Sequence, residues 1–89
     1  MPTISLFYGI VIQMFALDQK HHNSPHIHVR YSEHKASICI PDGELLSGSL
    51  PSRQMKLVQA WIELHQEDLM ADWSLAVAGQ TPMKIEPLR

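Results

Sequence analysis

The chain has 89 residues, 45% of them hydrophobic and 18% charged, with a formal net charge of −2. These values exclude a disordered chain and a second domain, and they leave no overall basic surface for wholesale binding to nucleic acid. A domain this small buries only part of its apolar surface, so a homodimer is one expected way of covering the rest.

The run "TISLFYGIVIQMFAL" at 3–17 is rich in β-branched and aromatic residues. It predicts two strands, about 3–8 and 10–17, meeting at Gly9, where a positive φ costs little. The second strand is apolar on both faces, with Ile10, Ile12 and Met14 on one and Val11, Phe15 and Leu17 on the other. That suggests a central position or a second covering layer. "DQKHHNSP" at 18–25 reads as a polar loop, with Pro25 holding Ser24 extended.

"HIHVRY" then alternates, with Ile27, Val29 and Tyr31 opposed to His26, His28 and Arg30, and "KASICI" sets Ala36, Ile38 and Ile40 against Lys35, Ser37 and Cys39. Cross-strand partners share a face, so apolar pairs with apolar. Setting Val29 opposite Ile38 satisfies this. It also places Tyr31 opposite Ala36, Arg30 opposite Ser37, and His28 opposite Cys39. "PDG" at 41–43 is a turn signal before a short strand, "ELLSGSL".

From Ser52 to Gly79 the period becomes helical. Ser52 is the expected N-cap and Gly79 the expected stop. Trp61, His65, Leu69 and Trp73 recur every four residues, flanked by Val58, Ile62 and Ala76. The residues 80–89 read as an extended, proline-punctuated tail. The expected fold is a single α+β domain of two layers. An antiparallel sheet of four or five strands (residues 3–50) is covered on one face by one long or two abutting C-terminal helices (residues 52–79). Val58, Trp61, Ile62, Leu69 and Trp73 are expected to pack on Ile27, Val29, Tyr31, Ile38 and Ile40.

The ordered set of "FYGIVI" at 7–12, "PHIHV" at 25–29, the Trp61, His65, Leu69, Trp73 helix and "KIEPL" at 84–88 resembles a small bacterial family, domain of unknown function 4160. The resemblance runs nearly end to end and implies a one-domain protein. It also implies membership of a compact two-gene, toxin–antitoxin-like module, with a small protein partner. The family pattern has a shorter loop with a double proline before His-x-His; here the loop is longer and Ser24 stands in place of the first proline.

Candidate chemistry concentrates in "HHNSPHIHVRY" at 21–31, which holds four of the six histidines. His26 and His28 are about 6.6 Å apart along a strand. With Cys39 and either His21 or His22 they make a set suited to a tetrahedral divalent metal such as zinc, though nothing in the pattern requires a cofactor. Without metal, a histidine acting as acid or base beside Arg30, which would neutralise a phosphate, is enough for RNA cleavage. A nucleotide-hydrolase motif of alternating histidines is excluded, because Arg30 stands where a third histidine is needed. As a binding surface, His26, His28, Arg30 and Lys35 could contact phosphates or an acidic protein. The segment 20–35 carries Lys20, five histidines, Arg30 and Lys35 against Glu33 alone. The plainest alternative is that this face is simply solvated.

His65 is expected to be a core histidine bonded to a backbone group, and Trp61 and Trp73 to be core. Asp68 and Asp72 are expected on a solvated helix face. A single cysteine, Cys39, allows no intrachain disulfide, and a neighbouring His28 would lower its pKa. With no apolar run approaching about 18 residues, a cytoplasmic protein with no membrane partner is expected. The residues support two readings: an interaction protein binding a partner protein or RNA through the His26/His28/Arg30 face, or a metal- or histidine-dependent hydrolase or nuclease at the same face.

Overall fold

The computed structural model describes residues 2–16 and 24–89. Strands β1 (Thr3–Phe7) and β2 (Ile10–Gln13) form a hairpin closed by Tyr8 and Gly9, whose φ angles are +51° and +77°. Two positive φ values in a two-residue loop match the right-handed twist of the flanking strands. Strands β3 (His26–Tyr31), β4 (His34–Cys39) and β5 (Leu45–Gly48) continue an antiparallel five-stranded sheet in chain order. Helices α1 (Ser52–Leu64) and α2 (Gln66–Val77) follow. The fold is α+β, as expected. The second strand is shorter than its composition suggests, ending at Gln13.

One face of the sheet meets the helices. Ile10, Ile12, Ile27, Val29, Ala36, Ile38 and Ile40 form a single buried cluster with Val58, Trp61, Ile62, Leu69 and Trp73, and half-buried Tyr31 packs against it. Strand alternation supplies the sheet residues and the helical period the rest. Trp61 is fully buried, and its indole N–H donates to the Glu86 carbonyl at 2.8 Å.

The β3–β4 register differs from the expected one by two residues. Ile27 opposes Ile38, Val29 opposes Ala36 and Tyr31 opposes His34. His28 therefore faces Ser37, not Cys39, and Cys39 faces His26; Arg30 faces Lys35, not Ser37. A shift of two preserves every face, so matching apolar to apolar admits both registers. The turn decides between them. A two-residue loop, Ser32–Glu33, with Ser32 at φ +54°, replaces the four-residue loop of the other register.

The helical stretch breaks at His65, whose φ of −126° is not helical. Ser52 is not the N-cap. Pro51 occupies that position, without a side-chain cap, and its carbonyl accepts the Met55 N–H at 2.9 Å. Gly79 does end α2. At φ +80° it donates to the Ala76 carbonyl while Gln80 donates to that of Leu75, the paired bonds of a glycine-terminated helix.

The tail is extended but docked. The Ile85 N–H donates to the Ile4 carbonyl at 2.8 Å, and the Met83 N–H to Asp72 Oδ1 at 2.9 Å. Asp72 is consequently buried, 3% exposed, and not on a solvated face; Asp68 is exposed. Position 72 lies three residues after Leu69 and four before Ala76, on the inward stripe of α2. Burial raises the Asp72 pKa, and Asp68 reinforces the shift against the opposing Met83 N–H. His65 is not a core histidine. It is half-buried at the helix junction, its ring 5.5 Å from that of Trp61 and its Nδ1 3.8 Å from Asp68 Oδ2.

Candidate functional site

The sheet face turned away from the helices is organised in rows. Thr3 opposes Gln13, Gln13 opposes His28, His28 opposes Ser37, and Ser37 opposes Ser47. Each of the five strands thus contributes one polar residue to a line across the sheet. At roughly 4.8 Å per strand, that line is about 19 Å long. In the neighbouring row Leu6 opposes Val11, Val11 opposes Arg30, and Arg30 opposes Lys35.

Between these rows lies a groove of about 610 Å³, lined by Gln13, Phe15, His28, Arg30, Lys35 and Ser37, with Ser47 and Gly48 at the β5 side. Gly48 shapes that side. Its φ is +78°, and an added Cβ would collide with the Lys35 carbonyl oxygen and lie 2.9 Å from the Ala36 Cα. Only glycine fits where β5 kinks past a bulge onto β4.

His28 is the centre of the groove. Its Nδ1 is 3.3 Å from Ser37 Oγ, and its ring lies flat on Phe15, with centroids 3.9 Å apart and planes 7° from parallel. The imidazole is therefore held from two directions, by a hydroxyl and by an aromatic face. Arg30 and Lys35 are exposed and directly opposite one another. Like charges paired across strands are unfavourable. Among the described residues, no carboxylate forms an ion pair with either.

His26 is not presented on this face. Alternation assigns it to the side of His28, yet it is fully buried, with the rings of His28 and Trp73 at 5.1 and 5.0 Å. Its Nδ1 is 2.7 Å from the Ser24 carbonyl, which can only accept, so Nδ1 carries the proton. Cys39, opposite His26, is buried too. Burial pushes its thiol pKa up, assisted by a hydrogen bond to the Asp42 carboxylate; the expected lowering by His28 does not occur. A thiol held protonated is a poor nucleophile and a reluctant ligand.

The metal set therefore divides. His26, His28 and Cys39 are described, whereas His21 and His22 lie outside the described residues. Among the described residues, no three of His, Cys, Asp and Glu come together as a metal-binding group. Nor is any helix among them long and apolar enough to cross a membrane.

The expected candidates His28 and Arg30 share the groove, with Lys35 and Ser37 beside them. Thr3, Gln13, Phe15 and Ser47 were not legible as site residues. Each belongs to a different strand or strand end from the histidine motif, and only the register aligns them. Residues 9–74 match the family model of a domain of unknown function, DUF4160. No curated protein and no solved structure matches the chain.

Proposed function

The chain belongs to the DUF4160 family, and from that premise we propose that it is an interaction module that binds an anionic partner on the outer sheet face. The observation that carries this reading is the Arg30–Lys35 pair. Two cations stand opposite each other, neither ion-paired with a carboxylate among the described residues, beside a groove lined with hydrogen-bonding side chains. An arrangement that costs the isolated protein stability is compensated when an anion lies between the two charges. In this reading the module is one half of a bacterial, cytoplasmic, two-gene toxin–antitoxin-like pair. Its anionic partner is RNA or the small protein from the adjoining gene, and a homodimer would cover the apolar Leu6–Val11 end of the face.

The test is binding in solution. Labelled RNA and the neighbouring gene's product are each titrated with the protein and with Arg30→Ser/Lys35→Ser. Affinity that falls with salt and is lost in the double variant supports the reading; affinity indifferent to both removes it.

The contact between Ser37 Oγ and His28 Nδ1 favours a second reading, a histidine-dependent hydrolase or nuclease in the same groove. There His28 would serve as general base and Arg30 as the phosphate-neutralising cation. A metal-dependent form would draw on His26, His28 and Cys39 with His21 or His22. Metal stoichiometry on a dialysed, tag-free sample, with His26→Ala and His28→Ala alongside, separates these forms. No metal, together with unchanged turnover in both variants, removes the enzyme reading.

A further inference from the structure

We infer that the anionic partner of the outer face is single-stranded RNA, with a phosphate between Arg30 and Lys35 and an unpaired base beside the Phe15–His28 stack. This rests on the anion-binding reading of the same face. Three observations narrow the partner from "anionic" to this class.

The first is the balance of groups. The groove offers two cations, but it offers more uncharged hydrogen-bonding side chains: Gln13, Ser37 and Ser47. An acidic protein surface would be met by further cations. A nucleotide presents one phosphate charge together with base edges and a ribose hydroxyl, and amide and hydroxyl groups serve those. Serine hydroxyls can both donate to and accept from a 2′-hydroxyl, the group that distinguishes RNA from DNA.

The second is the aromatic surface. Phe15 is half-buried, lines the groove, and is held in place by the parallel imidazole of His28 at 3.9 Å. Unpaired bases stack on such rings, whereas a carboxylate gains nothing from them. The third is shape. A volume of about 610 Å³ on a sheet face accommodates a few extended nucleotides, and the line of polar residues runs across all five strands. The bases of a duplex are stacked inward and could not reach Phe15.

Fluorescence anisotropy of the full chain tests this with five probes: a labelled single-stranded RNA decamer, the same sequence as DNA, the RNA duplex, inorganic polyphosphate and polyglutamate. Single-stranded RNA is expected to bind at least roughly ten-fold more tightly than the other four. Phe15→Leu should weaken RNA roughly ten-fold while leaving polyphosphate unchanged, as the loss of one stacked base predicts. Ser47→Ala, at an exposed position, should narrow the preference for RNA over DNA without changing the fold. Thermal melts of both variants identify any loss that comes from unfolding. If polyphosphate, polyglutamate, the duplex or DNA binds as tightly as the RNA strand, the RNA assignment is overturned while the anion-binding face stands. If none of the five binds, both fall.

Discussion

Asp72 Oδ1 accepts the backbone N–H of Met83 at 2.9 Å, joining the inward face of α2 to the C-terminal tail, while its Oδ2 is buried without a hydrogen-bond partner among the described residues. A buried carboxylate satisfied on one oxygen is costly to ionise, which is why burial heads the causes that raise its pKa. Below the ordinary aspartate range, folded and unfolded chains both hold the proton and no penalty arises. As pH rises through about 3.9, the unfolded chain ionises first and stability falls until the folded carboxyl ionises as well. Asp72→Asn keeps an acceptor for Met83 and removes the charge. It is expected to be at least as stable as the parent at pH 7, with the difference disappearing near pH 3. Urea denaturation at the two pH values measures this; an Asn variant clearly weaker at pH 7 would contradict it.

Gly48 should be irreplaceable. A Cβ there meets the Lys35 carbonyl, and the φ of +78° strains any other residue. Gly48→Ala is expected to cost about 1–3 kcal/mol or more. Gly79→Ala, with a similar φ but nothing within 4 Å of the added Cβ, isolates the backbone part of that cost. Chemical denaturation should rank Gly48→Ala as the more damaging of the two.

The cation pair predicts a trade between stability and binding. Arg30→Ser or Lys35→Ser removes a like-charge opposition and should raise stability by about 0.2–1 kcal/mol. Each change should also lower affinity for a single-stranded polyanion and reduce the slope of log affinity against log salt by about 0.7. Thermal melts and salt titrations on the same samples read both effects. Variants that are less stable, or whose salt slope is unchanged, would argue against an anion site.

Cys39 is predicted to be a quiet thiol. With its pKa raised by burial and by Asp42, it should react with iodoacetamide far more slowly in the folded protein than in urea at pH 7.5. Because the folded state resists ionising it, stability should hold below about pH 8.5 and decline above it as the unfolded thiol ionises. Cys39→Ala should remove most of that alkaline decline. Rapid alkylation of the native protein would show the thiol to be activated instead.

Much of the fold is legible along the chain, because burial imposes periods on sequence. Alternation at Ile27, Val29, Ile38 and Ile40 marks the sheet's inner face, and the spacing of Trp61, Leu69 and Trp73 marks the helix stripe that covers it. Gly9 and Gly79 announce a turn and a helix end, since few other residues accept their φ values cheaply. Family membership is legible from the same ordered motifs.

What the sequence alone determined, then, was which residues share a face. Which residues share a site was decided only in three dimensions. Apolar matching is unchanged by a shift of two residues, so the compact Ser32–Glu33 loop, not the hydrophobic pattern, set His28 beside Ser37 and Arg30 beside Lys35. Gln13 and Phe15 come from one segment and Ser47 from another, both separate from the histidine strand, and ordinary polar or aromatic residues carry no mark of the neighbour they will meet. Asp72 was hidden for a related reason: its burial depends on a tail eleven residues away folding back to donate one N–H. Periodicity reports burial within an element, whereas a site is made of contacts between elements, and those follow from register and docking.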